Sequence, residues 1–307
     1  MRCVSFEKAV HSNVMHSNII INIAEAYGLP YLPPYLAIVD GVKYENGVNF
    51  AVAGATALDA EFYAYKKLGH FLWTNNSLSV QLGWFKKLKS TLCTTKQECD
   101  NYFKKSLFLV GEIGGNDYNY PLFGGASPKE LEDLVPLVLE KIISTASVRL
   151  LIIQIKLPPE SSQEGCLPAY LTLFLTLEKA AYDRNGCLRA HNAFAKFHNK
   201  QLQFALGSLR AKYPHANIMY ADYYNAAKKY VHNPLHHGFT NGVLVACCGG
   251  GGSFNFNSSA SCGRTGSKTC TNPSTYANWD GIHLTEAAYG FIAKALIHGS
   301  FTSPPIH

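Results

Sequence analysis

The fold is decided by residues 106–117, which read Ser106-Leu107-Phe108-Leu109-Val110-Gly111-Glu112-Ile113-Gly114-Gly115-Asn116-Asp117. The first five residues are apolar except for the opening serine, and such a short apolar run predicts a buried strand. Three glycines and an Asn-Asp pair follow, so polar side chains stand just beyond the end of that strand. In parallel α/β sheets, ligands bind outside the carboxyl ends of the strands. We therefore expect this segment to form a strand and part of a binding site.

The segments on either side alternate between helices and strands. Ser127-Pro128-Lys129-Glu130 supplies an N-cap, a proline at the first helical position and a glutamate at the third, which predicts a helix to about Thr145. The small residues 50–55 fit either a buried strand or a tightly packed loop. Further helices are predicted over 19–27, 188–209, from 223 and over 285–297, and strands over 148–155 and 216–220. This alternation predicts an α/β protein with a parallel sheet covered on both faces.

The composition favours one globular domain over residues 1–307. Hydrophobic residues make up 47% of the chain and charged residues 16%, which excludes a disordered protein and a coiled coil. The formal net charge is +6, but the densest basic groups, at 86–89 and 104–105, are typical of an ordinary solvated face. Nucleic acid is therefore not expected as a partner. No stretch reaches the roughly 20 apolar residues of a transmembrane segment.

Nine cysteines point to an oxidising compartment. Cys93 and Cys99 close a short polar loop, and Cys247, Cys248, Cys262 and Cys270 crowd a segment rich in Gly, Ser and Asn. Such loops bury little apolar surface, so disulfides are the expected way to order them. Zinc is the competing interpretation, but there is no Cys-x-x-Cys pair and no matching histidine spacing, so no metal is expected.

Secretion has one argument for it and one against it in the sequence. Two sequons, at Asn75 and Asn257, are candidate glycosylation sites and agree with an extracellular protein. Residues 1–18 contain charged and histidine side chains and no apolar core of the usual length, so no signal peptide is expected in this chain.

Three short segments could carry chemistry, each with a structural alternative. Asp280 stands three residues before His283, where it can fix the tautomer of the imidazole, although Asp-x-x-His is also typical of a capping turn. Asn116 can donate its amide to an oxyanion, or the Asn-Asp pair can satisfy its own backbone in a turn. Gly54 can offer an unobstructed N–H to the same oxyanion, or simply allow tight packing.

Taken together, four segments resemble the plant GDSL esterase/lipase family, a branch of the SGNH hydrolases. The resemblance covers about residues 19–302, and residues 1–18 diverge from it. The segments are Tyr31-Leu32-Pro33-Pro34-Tyr35-Leu36, Gly47-Val48-Asn49-Phe50-Ala51-Val52-Ala53-Gly54-Ala55-Thr56, Val110-Gly111-Glu112-Ile113-Gly114-Gly115-Asn116-Asp117 and Trp279-Asp280-Gly281-Ile282-His283-Leu284-Thr285-Glu286.

The resemblance implies a secreted, cofactor-free monomer with a three-layer α/β/α fold around a flavodoxin-like parallel sheet. It implies a carboxylic-ester hydrolase with a Ser-His-Asp mechanism, acting on a small acyl or phenolic ester. On this basis His283 is the general base and Asp280 orients it, while the Gly54 N–H and the Asn116 amide form the oxyanion hole. The family's nucleophile lies further upstream, in a Gly-Asp-Ser-Leu string that follows the first strand.

That string does not occur in these 307 residues. Ser5, Ser12 and Ser17 have no Gly-Asp-Ser context, so no nucleophile is found, and the family's first strand is expected to be missing. Because that strand is interior, its absence predicts unpaired backbone groups and marginal stability. A weakly active or inactive chain is expected, and the alternative is a non-catalytic protein that binds an ester or a glycoside. Residues 154–166 also depart from the family, in a loop that rims its crevice.

Set against the family, eight cysteines pair and Cys3 is left over. The expected bridges are Cys93–Cys99, Cys166–Cys187 and two among Cys247, Cys248, Cys262 and Cys270. A cysteine hydrolase that uses Cys166 or Cys187 with His283 is a further alternative, and the expected disulfide between those two cysteines argues against it.

Overall fold

The computed structural model describes residues 2–6, 19–36, 44, 46–146, 152–156 and 164–306, and of residues 2–6, 19–20 and 152–156 it describes the backbone. The strands are β1 (Arg2–Phe6), β2 (Gly47–Asn49), β3 (Ser106–Val110), β4 (Ile152–Lys156), β5 (Asn217–Ala221), β6 (Cys248–Gly249), β7 (Lys268–Thr269) and β8 (Thr302–Ser303). The helices are α1 (Ile19–Ala26), α2 (Ala60–Tyr65), α3 (Leu78–Leu92), α4 (Lys96–Phe103), α5 (Gly115–Phe123), α6 (Pro128–Ala146), α7 (Pro168–Leu173), α8 (Arg189–Lys212), α9 (Tyr223–His232) and α10 (Glu286–His298).

Six strands form the main sheet, in the order β2-β1-β3-β4-β5-β8. Every neighbouring pair from β2 to β5 is parallel, and only β8 runs antiparallel, against β5. Strands and helices alternate along the chain as the sequence predicts, which makes this an α/β protein. The carboxyl ends of the parallel strands therefore meet at one edge of the sheet.

The expectation that the first strand is missing is wrong. β1 occupies the interior position, with Cys3 in register with Gly47 of β2 on one side and with Leu107 of β3 on the other. The expectation failed because it located the strand by the Gly-Asp-Ser string that follows it in the family. A parallel ladder needs only backbone groups in extended conformation, and residues 2–6 supply them without that string. The prediction of marginal stability loses its basis, since it rested on a gap at this position.

Strand β3 divides the apolar interior into two cores. Phe108 and Val110 pack in a core with side chains of α3, α6 and α8, whereas Leu107 and Leu109 pack in a second core with α1, α9 and α10. Successive side chains of a strand point to opposite faces of the sheet, so helices cover both faces of β3. All five residues of β3 are buried, as the continuous apolar run predicts.

Local signals set the helix boundaries closely. Before α6, Ser127 and Glu130 exchange the hydrogen bonds of a capping box, with the Ser127 N–H donating to the Glu130 carboxylate at 2.8 Å. The strand predicted over 148–155 is found at Ile152–Lys156, and residues 147–151 lie outside the described part of the chain. Residues 50–55 form a packed loop, not a strand, because β2 ends at Asn49.

Four disulfides are formed among the described side chains, and they fix the pairing that the sequence left open. They join Cys93–Cys99, Cys166–Cys187, Cys247–Cys270 and Cys248–Cys262. The last two hold the Gly-rich segment together with the two-stranded β6–β7 ladder. The side chain of Cys3 lies outside the described part of the chain.

Candidate functional site

The Asp280–His283 turn positions a histidine directly before α10. One Asp280 oxygen, Oδ1, accepts hydrogen bonds from the backbone N–H groups of Ile282 at 3.0 Å and His283 at 2.7 Å. The other oxygen, Oδ2, lies 2.6 Å from Nδ1 of His283. The turn therefore combines the two functions that the sequence offered as alternatives, since one carboxylate both caps the turn and orients the ring.

The first of the two residues between Asp280 and His283 must be glycine. Gly281 has a φ of +99°, and a Cβ at this position would lie 2.4 Å from Cδ2 of Phe256. Any larger residue would clash with that ring and strain the backbone, so the turn geometry depends on Gly281.

The electrostatics of the pair favour a charged Asp280. Burial alone would raise its pKa, but the charge of His283 and the hydrogen bonds from the turn lower the pKa of Asp280 to about 2. A carboxylate that stays ionised can hold the proton on Nδ1 and stabilise an imidazolium. The opposite ring atom, Nε2 of His283, is buried and has no hydrogen-bond partner among the described residues. Nε2 is therefore the atom available to take a proton.

Asn116 and Gly54 come together at the carboxyl end of β3. The chain turns from β3 into α5 through Glu112 and Gly114, with φ values of +39° and +116°, which places Asn116 in the first turn of the helix. Its Nδ2 donates to the carbonyl of Ala55 at 2.8 Å, one residue beyond Gly54. An amide nitrogen carries two hydrogens, and this bond uses one of them.

Asp117 holds the same loop from the next position. It is completely buried, and its two oxygens accept hydrogen bonds from the backbone N–H groups of Ala57 at 2.7 Å and Leu58 at 2.9 Å, and from the hydroxyl of Tyr63 at 2.7 Å. Burial raises the pKa of Asp117 to about 7, against the lowering effect of these hydrogen bonds. The interpretation of Asn-Asp as a turn that satisfies only its own backbone is therefore wrong.

Helix α7 links the two halves of the site. Its Ala169 N–H donates to the carbonyl of Gly281 at 3.0 Å, beside His283. Its Tyr170 hydroxyl donates to Asn119 of α5, the helix that carries Asn116. The disulfide Cys166–Cys187 lies just before α7 and ties this part of the chain to the start of α8. The Asp280–His283 turn and the helix that carries Asn116 are thus connected through one short helix.

Several of these residues escaped the sequence analysis. Asp117 stands inside the quoted motif, and its position directly after Asn116 was the available signal. Tyr170 gave no signal, since aromatic residues at isolated positions are more often core. The sequons remain predictions: the side chains of Asn75 and Asn257 are both exposed.

Other predicted site residues have different outcomes. Cys166 and Cys187 are paired, which removes the basis of a cysteine nucleophile. Ser5 lies within β1, and Ser12 and Ser17 lie outside the described residues, as do residues 157–163 of the divergent loop. In the described ranges, no cluster of three His, Cys, Asp or Glu side chains is arranged to hold a metal ion. No helix there is long and apolar enough to cross a bilayer.

Comparison with known proteins gives a consistent result. The pattern of the GDSL-like lipase/acylhydrolase family matches residues 21–296. A GDSL esterase/lipase of Arabidopsis thaliana is 52% identical over 297 residues, which cover 93% of this chain and 78% of the relative. The sinapine esterase of Brassica napus is 48% identical over 290 residues, covering 93% of this chain and 74% of that enzyme. A second Arabidopsis thaliana GDSL esterase/lipase is 47% identical over 290 residues, with 93% and 75% covered.

Proposed function

Because this chain belongs to the GDSL-like lipase/acylhydrolase family, whose members hydrolyse esters, we propose that His283 is the general base of a carboxylic-ester hydrolase. The observation that carries the proposal is the hydrogen bonding of the two nitrogens of the His283 imidazole. Asp280 holds Nδ1 at 2.6 Å, while Nε2 has no partner among the described residues. A histidine fixed on one nitrogen and open on the other is arranged to remove a proton from a nucleophile.

The proposed mechanism follows the Ser-His-Asp pattern. His283 takes the proton of a serine hydroxyl through Nε2, and the serine oxygen attacks the ester carbonyl. The Gly54 N–H and the second hydrogen of the Asn116 amide hold the oxyanion, and Asp280 stabilises the imidazolium that forms. The imidazolium gives the proton to the alcohol oxygen, whose bond to the acyl carbon breaks, and the alcohol leaves. Water, activated by the same histidine, then attacks the acyl-serine, releases the carboxylic acid and restores the serine hydroxyl.

We propose that the chain of 307 residues performs this reaction weakly or not at all. It contains no Gly-Asp-Ser string, and none of Ser5, Ser12 and Ser17 has that context. A base and an oxyanion hole without a serine still accelerate the attack of water, but give only a small part of the full rate. The same observation favours the second candidate, a non-catalytic protein that binds an ester or a glycoside in this crevice.

Three further observations support proposals for the compartment, the fold and the substrate class. Four disulfides support secretion, because such bonds persist in oxidising compartments. The parallel order of β2 to β5 supports a flavodoxin-like, three-layer α/β/α fold. A single domain over residues 1–307 that acts as a monomer is proposed from the family resemblance alone. A small acyl or phenolic ester is the proposed substrate class, and the sinapine esterase relative makes sinapine one ester to test.

A serine-directed phosphonate tests the mechanism. The protein is incubated with the phosphonate, and mass spectrometry shows whether an adduct has formed. The rate of p-nitrophenyl acetate hydrolysis is measured in parallel. The proposal predicts slow hydrolysis and no phosphonate adduct. Rapid hydrolysis together with a stoichiometric adduct would show that a serine of this chain serves as nucleophile. A ligand-induced rise of the melting temperature without any turnover would favour the binding protein.

A further inference from the structure

One aromatic side chain beside the candidate oxyanion loop is open to solvent. Trp73 is 72% exposed, although tryptophan is usually well covered. A Cβ built on Gly54 would lie 2.7 Å from Cβ and 3.4 Å from Cγ of Trp73. The Cβ and Cγ atoms of Trp73 therefore lie close to the backbone of Gly54, the residue whose N–H is the proposed oxyanion donor.

The backbone of Trp73 is fixed relative to the site. The Tyr120 hydroxyl donates to the carbonyl of Gly54 at 2.8 Å and accepts from the Trp73 N–H at 3.5 Å. Tyr120 belongs to α5, the helix that also carries Asn116. The Tyr120 hydroxyl thus joins Gly54, Trp73 and α5. The backbone of Trp73 is therefore held beside the proposed oxyanion donors.

The charges in this loop favour an aromatic group over a cation. The face of an indole binds aromatic rings and also organic cations. A cation would gain from a free carboxylate, but Asp59, which accepts from Ser77 of the same loop, is paired with Lys141 at 2.6 Å. The formal charge of +6 on the whole chain also disfavours a cationic ligand.

We propose that Trp73 is a specificity-determining residue that stacks on an aromatic ring of the ester substrate. The inference rests on the proposed function, because it places the substrate carbonyl at Gly54. It adds the chemical class of the substrate, an aromatic ester, and the residue that selects it.

Binding of two ketones tests the proposal without requiring turnover. Acetophenone and cyclohexyl methyl ketone both present a carbonyl beside a six-membered ring, neither can be hydrolysed, and only the first ring is aromatic. The dissociation constants are measured by ligand-observed NMR for the wild type and for Trp73→Leu, Trp73→Phe and Tyr65→Leu. Tyr65 is the matched control, because it is 84% exposed on α2 and has no place in the proposed site.

The wild type is expected to bind acetophenone about three- to tenfold more tightly than the saturated ketone, because stacking of two aromatic rings adds to the binding free energy. Trp73→Leu removes that preference, Trp73→Phe keeps part of it, and Tyr65→Leu leaves it unchanged. Equal binding of the two ketones by the wild type, a preference that survives in Trp73→Leu, or no binding of acetophenone overturns the proposal. If the preference is present but no ester is hydrolysed, the ring site stands and the non-catalytic binding protein is favoured over the hydrolase.

Discussion

The carboxylate of Asp117 accepts a hydrogen bond from the N–H of Ala57 at 2.7 Å, joining two positions 60 residues apart in the chain. The neighbouring residue, Asn116, bonds to the carbonyl of Ala55 at 2.8 Å. Two consecutive side chains of α5 therefore hold the segment that contains Gly54. The proposed oxyanion donors depend for their geometry on a buried carboxylate that has no contact with the substrate in the proposed mechanism.

Asp117→Asn is expected to destabilise the protein at neutral pH. Asp117 accepts three hydrogen bonds with its two oxygens, and an asparagine amide has a single oxygen. At least one buried donor is left unpaired, which costs about 1–3 kcal/mol. The free energy of unfolding in urea measures the loss. Asp133→Asn, at a side chain 63% exposed, is the matched control and is expected to change stability by less than about 0.5 kcal/mol.

The stability of the wild type relative to Asp117→Asn is expected to depend on pH. Burial raises the pKa of Asp117 from 3.8 to about 7 in the folded state. A raised pKa means that the folded protein binds the proton more tightly than the unfolded chain does. The contribution is fully present below about pH 4 and is lost as the pH rises through about 7. Urea unfolding of both proteins across this range measures the difference, and a difference independent of pH would contradict the account.

Gly54→Ala is expected to be more harmful than Gly28→Ala. Both glycines have positive φ values, +78° and +64°, so both substitutions strain the backbone, at about 1–2 kcal/mol. Only at Gly54 would the new methyl group meet a neighbour, 2.7 Å from the Cβ of Trp73, whereas Gly28 has nothing within 4 Å. The clash adds about 1–3 kcal/mol. Unfolding in urea gives both costs, and the emission of the exposed Trp73 should shift only in Gly54→Ala. Equal costs at the two positions would show that Gly54 is not tightly packed.

Asp280→Asn is expected to release the fixed tautomer of His283. In the wild type, the carboxylate 2.6 Å from Nδ1 keeps the proton on that nitrogen of the neutral ring and leaves Nε2 bare. Nitrogen-15 NMR of the histidine rings distinguishes the two tautomers, and His283→Gln assigns the signal among the 12 histidines. A neutral His283 of the wild type with its proton on Nε2 would remove the basis for a general base.

Much of the site could be predicted from the sequence, because its residues lie in short segments with local logic. The turn from Asp280 to His283 spans four positions, and Asn116 follows a strand that its apolar residues reveal. The contacts that hold these segments in place could not be predicted in the same way. The contacts of Asp117 and of α7 join residues far apart in the chain, and no local pattern encodes such a distance.

Two features of the fold show the same limit. Residues 2–6 form β1 through pairing with β2 and β3, and a pattern of five residues does not predict such pairing. The pairing among Cys247, Cys248, Cys262 and Cys270 stayed open in the sequence, because four cysteines allow about three connectivities and spacing does not choose among them.

The most direct test of the central claim is the rate of p-nitrophenyl acetate hydrolysis in the wild type, His283→Gln and His236→Gln. His236 is exposed and lies outside the proposed site, so its substitution controls for nonspecific catalysis by surface imidazoles. The account predicts a slow wild-type rate above the uncatalysed reaction, its loss in His283→Gln and its retention in His236→Gln. An unchanged rate in His283→Gln would contradict it, and a wild-type rate equal to the uncatalysed one would favour the non-catalytic binding protein.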